Sequence, residues 1–190
     1  MTPSLHEEIE AALAVLQQGG LLIYPTDTVW GLGCDATNEE AVAKIYALKQ
    51  RDASKSMLVL LSNERMIHRV FPKVPEVAWQ LLDFATKPTT LILDQPKSVA
   101  SNLISTDQSL GFRWVKEGFS HQLLERFKKP IVSTSVNFSG QSTPSTFQEI
   151  DPKLLAAVDY VVHLHREKKC PPPSSIIKLT LDAQVTIIRR

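Results

Sequence analysis

The chain has 190 residues, two cysteines and a formal net charge of +1, with 43% hydrophobic and 22% charged residues. A domain of that size buries about 70% of its unfolded surface and needs no disulfide framework. Its near-neutral charge excludes a strong overall field toward nucleic acid or membrane. No run approaches the roughly 18 apolar residues of a membrane span. Cys34 and Cys170 lie far apart without metal-ligand spacing, which fits a reducing compartment. A cytoplasmic protein with one domain over residues 1–190 is expected.

The N-terminus is not a signal peptide, because Glu7, Glu8 and Glu10 fall where such a segment is apolar. Ser4 and Glu7 instead have capping-box spacing, Ile9, Leu13 and Leu16 recur at helical spacing, and Gly19-Gly20 ends the helix. A strand over 21–24 runs into the loop PTDTVWGLGCDA. Asn38 opens a helix carrying Val42, Ile45 and Leu48 on one face. A strand over 57–61, helical segments over 63–70 and 74–85, and a strand over 89–93 follow. Next come a strand over 111–115, a helix over 121–127, a strand over 130–136 and a Ser/Gly/Pro loop over 137–144. A helix over 147–157, a strand over 160–164, the HREKKCPPP loop and strands over 175–179 and 185–188 complete the chain. Strands alternating with helices, then crowding near the end, predict a single α/β domain around a twisted, open, mixed sheet flanked by helices.

Several motifs carry polar chemistry. Gly31-Leu32-Gly33-Cys34-Asp35-Ala36 matches the dinucleotide pattern, with Asp52 about 20 positions on. Its context is wrong: six residues (25–30) separate it from the strand, and the helix begins only after Asn38. A P-loop pattern is absent. Thr26 and Thr28 are two apart, so in extended backbone both hydroxyls share a side; the plainer reading is a loop in which Thr and Asp bond their own backbone. Lys49, Arg51 and Lys55 cluster between a helix and an apolar strand. If the helix ends near Lys49 they converge as a phosphate site; otherwise they are a solvated helix end. In PIVSTSVNFSGQSTPS, Ser135 and Asn137 share a side if the strand continues. Arg113, inside the apolar LGFRWV, requires a partner or a cleft. His6, His68, His121, His163 and His165 form no metal pattern, and no catalytic triad follows from spacing.

Taken in order, YPTDTVWGLGCDA, LKQRDASKSMLVLL, LGFRW, PIVSTSVNFSGQSTPS and PSSIIKLT resemble the YrdC-type threonylcarbamoyl-AMP synthase family. The family's K-x-R pair and S-x-N signature stand as Lys49-Gln50-Arg51 and Ser135-Val136-Asn137. The resemblance implies a cationic concave cleft and a short, single-domain form. It implies synthesis of L-threonylcarbamoyladenylate and pyrophosphate from L-threonine, bicarbonate and ATP. The product serves threonylcarbamoyladenosine modification of tRNA next to the anticodon, through partner transfer proteins. Carried over by position, Lys49 and Arg51 are catalytic, and Thr26, Thr28, Arg113, Ser135 and Ser174 bind threonine. Lys49, Arg51, Lys55, Ser109, Asn137, Ser145 and Arg189 bind ATP. Mg²⁺ is implied on the ATP phosphates, with no protein metal site and no membrane partner. Departures from the family pattern include Gln50 and Asp52 around Arg51, Ser56, Leu60, Trp30 after PTDTV, and Pro171-Pro172-Pro173. Two rival expectations are a non-catalytic RNA- or tRNA-binding protein using Arg126-Phe127-Lys128-Lys129 and Arg166-Glu167-Lys168-Lys169, and a relative acting on another acyl adenylate. In the synthase reading, Thr26 and Thr28 wall a threonine pocket and Gly31 and Gly33 turn the chain behind it.

Overall fold

The computed structural model describes residues 3–52 and 57–189. Helix α1 (Leu5–Gln17) opens with the expected capping box: the Ser4 hydroxyl accepts from the Glu7 amide, and the Glu7 side chain accepts from the Ser4 amide. Its buried face holds Ile9, Ala12 and Leu16 and, unexpectedly, Glu8. That carboxylate is fully buried yet satisfied, accepting from the Tyr160 hydroxyl at 2.9 Å and the His163 amide at 3.0 Å. A buried acid is tolerated when its lone pairs are filled this way.

β1 (Leu22–Tyr24) pairs antiparallel with β2 (Gly31–Gly33). The Gly-Leu-Gly segment, expected to turn the chain, is therefore a strand. Its glycines are required by close packing. A Cβ on Gly33 would lie 2.3 Å from the Val132 carbonyl oxygen and 2.8 Å from the Tyr24 ring. Propensity disfavours glycine in strands, and here neighbouring backbone overrides it. Asn38 caps α2 (Glu39–Lys49), accepting from the Ala41 amide, and Gln50 closes the helix in the left-handed region with φ 50°.

β3 (Leu58–Leu61), α3 (Glu64–Val70), α4 (Glu76–Asp83), β4 (Thr89–Asp94), β5 (Ser109–Trp114), α5 (Gly118–Phe127) and β6 (Ile131–Ser135) follow. The helix expected over 147–157 is broken. A 3₁₀ turn at Phe147–Glu149 precedes a short α6 (Pro152–Ala156), capped by Asp151 with Pro152 in its first turn. Proline cannot donate to the turn before it, so one continuous helix is ruled out. β7 (Tyr160–Val161) is shorter than its apolar run, and β8 (Ser175–Leu179) and β9 (Val185–Arg189) end the described chain.

The described strands form one mixed sheet in the order β7-β1-β2-β6-β3-β5-β4-β8-β9. Pairs β1/β7, β3/β5 and β4/β8 are parallel, and the other five pairs are antiparallel, three of them consecutive from β1 to β3. Helix α1 packs on α5 across one face, and the buried apolar residues form a contiguous core. Among the described residues, no helix is long and apolar enough to cross a membrane.

Candidate functional site: a polar cleft on the open face of the sheet

Strand register builds the site. Arg113 on β5 lies opposite Thr90 on β4, Thr90 opposite Ile176 on β8, and Ile176 opposite Arg189 on β9. Facing residues in register project to the same side of a sheet, so these four form one row. At about 4.8 Å per strand, the row separates its two arginine backbones by roughly 14 Å. Ser133 on β6, Leu58, Gly111 and Ile92 form a second row beside it. Together they floor a cleft of about 250 Å³, walled by Thr26 and Thr28 on one side and Arg51 on another.

The Thr26 and Thr28 hydroxyls lie 3.2 Å apart, brought together by a bend at residues 27–29 and not by the extended backbone that the spacing argument required. The plainer reading holds as well: Thr26 Oγ1 donates to the Val29 carbonyl at 2.6 Å and accepts from the Thr28 amide at 3.1 Å. The loop is thus held rigid by the same hydroxyl that faces the cleft. Arg113, 4% exposed, finds the partner its burial demands in Asp27, whose Oδ1 accepts from Nε at 2.9 Å. Ser174 Oγ meets Thr90 Oγ1 at 2.8 Å, and Arg189 Nε donates to the Ser174 carbonyl at 2.9 Å.

Of the residues singled out in the sequence, Thr26, Thr28, Arg51, Arg113, Ser135, Ser174 and Arg189 come together in this cleft. Lys55 lies outside the described residues. Lys49 does not line the cleft. It is 1% exposed, and its Nζ donates to the carbonyls of Ser135 and Asn137. Burial, and secondarily the Arg51 charge, draw its pKa down to about 8. Ser135 and Asn137 would share a side only if the strand continued, and β6 ends at Ser135. Asn137 sits in the following turn, where its Nδ2 donates to the Gln141 carbonyl at 2.9 Å. Ser109 is bound to Ser105 and Asp107, and Ser145 to Glu149; neither lines the cleft.

Sequence reasoning did not single out Thr90, Gly111 or Thr143 as cleft residues, and took Ser133 only as part of the hydroxyl-rich strand end. The alternation Gly111/Arg113 and Ser133/Ser135 carried the signal for two of them. Gly111 lowers the floor: a Cβ there would make ordinary contacts of 3.4 to 3.7 Å with Leu58, Thr90 and Ile92. Three of the six basic side chains in the runs considered for RNA have partners within the protein. Arg126 pairs with Glu10, Lys129 with Asp35, and Arg166 binds the Val161 and Val162 carbonyls while stacking on Phe147. Phe147 in turn packs on Trp30 at 4.9 Å between ring centres.

The Sua5/YciO/YrdC family model, described as telomere recombination, matches residues 14–190. The chain belongs to the Sua5/YciO/YrdC family. Among relatives, a threonylcarbamoyl-AMP synthase of Xanthomonas euvesicatoria is 31% identical over 165 residues, covering 85% of this chain and 87% of that one. Among family structures, E. coli YciO superposes with a TM-score of 0.82 at 25% identity, covering 100% of this chain and 91% of that one. P. abyssi Sua5 complexed with L-threonine superposes with a TM-score of 0.81 at 22% identity and shows the shared fold. The chain spans 52% of that Sua5 chain and 94% of its own length is covered.

Proposed function

We propose that this protein makes L-threonylcarbamoyladenylate and pyrophosphate from L-threonine, bicarbonate and ATP, acting in the cytoplasm for threonylcarbamoyladenosine modification of tRNA. The observation that carries this reading is the registered row from Arg113 to Arg189, walled by Thr26 and Thr28, in a family whose members include named threonylcarbamoyl-AMP synthases. The row offers an amino-acid end and a phosphate end.

In this reading Arg113 meets the threonine carboxylate, and the hydroxyls of Thr26, Thr28, Ser135 and Ser174 surround the amino acid. Arg51, Arg189 and Lys55 hold the ATP phosphates. The threonine amine condenses with bicarbonate, losing water to give a carbamate. A carbamate oxygen then attacks the α-phosphorus, and pyrophosphate leaves. No enzyme nucleophile is required. The chain's task is to orient several anions and stabilise the charge that moves onto pyrophosphate, which fixed guanidinium groups do well. Among the described residues, the cleft lining offers hydroxyls and guanidiniums but no carboxylate. Mg²⁺ therefore fits as an ion carried by the ATP phosphates, where it supplies further charge neutralisation. Lys49 holds the turn after β6 from below, and Ser109, Asn137 and Ser145 support neighbouring loops. The tRNA and the proteins that receive the intermediate act downstream.

The test is pyrophosphate release by the purified protein given threonine, bicarbonate, Mg²⁺ and ATP. Release is expected only with all four present. Release that depends on neither threonine nor bicarbonate sinks the reading, and serine in place of threonine separates it from a relative acting on another acyl adenylate.

A further inference from the structure

Arg113 is held in an unusual way for a ligand-binding arginine. Nε and Nη2 both approach Asp27 Oδ1, at 2.9 and 2.8 Å, and Nη2 also lies 3.4 Å from Thr26 Oγ1. Nη1 has no hydrogen bond among the described residues. Asp27 itself does not line the cleft. It lines a second cavity of about 530 Å³, together with Glu117, Phe119 and Lys168 and with Thr26 and Thr28, which border both spaces. The chain bends at residues 27–29, and within that bend the Asp27 carboxylate reaches Arg113 while the Thr26 and Thr28 hydroxyls stay 3.2 Å apart.

We propose that Asp27 is a positioning residue for amino-acid recognition, fixing the Arg113 guanidinium so that its remaining edge meets the carboxylate of the ligand. The proposal rests on the amino-acid end of the cleft assigned above. Two effects of Asp27 oppose each other. Its charge partly neutralises Arg113 and weakens the pull on a carboxylate, while its geometry holds the fork in place. Orientation outweighs neutralisation here, because a buried guanidinium without Asp27 would turn toward water or a backbone carbonyl. The ligand would then lose its paired donors, and a planar fork recognises carboxylate only when correctly aimed. The rigid Thr26–Val29 turn keeps Asp27 in reach, so the loop that walls the pocket also aims its arginine.

The experiment compares calorimetric binding of L-threonine with that of L-threoninol, which keeps the amine and hydroxyl but lacks the carboxylate. Wild-type protein is expected to prefer threonine by at least about ten-fold, and Asp27→Ala to bring the two within about three-fold with threoninol affinity unchanged. ATP affinity should stay within about two-fold in both proteins. Asp27→Asn, close in shape, keeps one acceptor without the charge and should retain an intermediate preference; it carries the test if the alanine variant does not fold. A full wild-type preference in either folded variant overturns the proposal. So does equal loss of both ligands, or a wild-type protein with no preference. The synthase reading fails separately, through the pyrophosphate assay.

Discussion

The Lys49 ammonium group donates to the Asn137 carbonyl at 2.6 Å, beneath the cleft and out of contact with solvent. The residue expected to grip phosphate instead ties the end of α2 to the turn after β6, and the Ser139 amide returns a bond to the Lys49 carbonyl at 3.0 Å. Lys49→Met removes the donor of two buried carbonyls. It should cost about 3 kcal/mol of unfolding free energy by chemical denaturation. Wild-type stability in that variant would refute the bracing role.

The same lysine gives a pH signature. Its folded-state pKa of about 8 lies below the ordinary lysine value of 10.5. Between those values the unfolded chain binds more protons, so the contribution of Lys49 to stability rises with pH across that window. The stability difference between wild type and Lys49→Met should therefore grow from pH 8 toward 10.5. A difference that shrinks as pH rises would contradict the buried environment.

Arg51 is expected to behave differently from its neighbour two positions back, because it lines the cleft. Arg51→Ala should lower turnover by about a hundred-fold or more, the size expected for losing a charge-stabilising donor. Its melting temperature should fall less than that of Lys49→Met. Turnover equal to wild type in the folded variant would remove Arg51 from the site.

Two glycines should respond in opposite ways. Gly33→Ala drives a Cβ to 2.3 Å from backbone and should cost about 3 kcal/mol of stability in urea titrations. Gly111→Leu meets only ordinary contacts at its Cβ, so the fold should survive while the side chain fills the cleft. Threonine binding by that variant should drop by at least about ten-fold. Undiminished binding would place the ligand elsewhere.

Both cysteines are free. Cys34 is buried and its thiol is pushed well above the ordinary range, chiefly by burial; Cys170 is raised less and is partly exposed. Alkylation followed by mass spectrometry at neutral pH should label Cys170 slowly and Cys34 only after unfolding, since the thiolate is the reacting form. Rapid labelling of Cys34 in native protein would contradict the packing around β2.

Local signals in the sequence were legible wherever a side chain acts on its own backbone. The Ser4 and Asn38 caps, and the helix end at Lys49, are of this kind. What could not be read depended on distant chain. Gly31 and Gly33 look like turn residues until Val132 is seen to leave no room for a side chain. Asn137 looks like a continuation of β6 until Lys49 is seen to seize the turn. Asp27 looks like a loop acid until Arg113, 86 positions away, is found against it. The cleft was legible as a set of residue types, because the hydroxyl and cation clusters resemble a family pattern when taken in order, although each alone has a plain structural use. Its floor was not, because Thr90 and Gly111 acquire their place only from strand register.

Arg189 belongs to β9, the outermost strand at its end of the sheet, whose described residues are all exposed. Among the described strands β9 pairs with β8 alone, yet it carries one end of the row that floors the cleft. An edge strand with few buried contacts opens at a lower free energy than the core it borders. Loss of Arg189 from the row requires fraying of β9 and release of its bond to the Ser174 carbonyl, and under the proposed function an anion held between Arg51 and Arg189 would oppose both. Under the proposed function, ligand occupancy and the hydrogen-exchange protection of β9 would be two readings of one equilibrium.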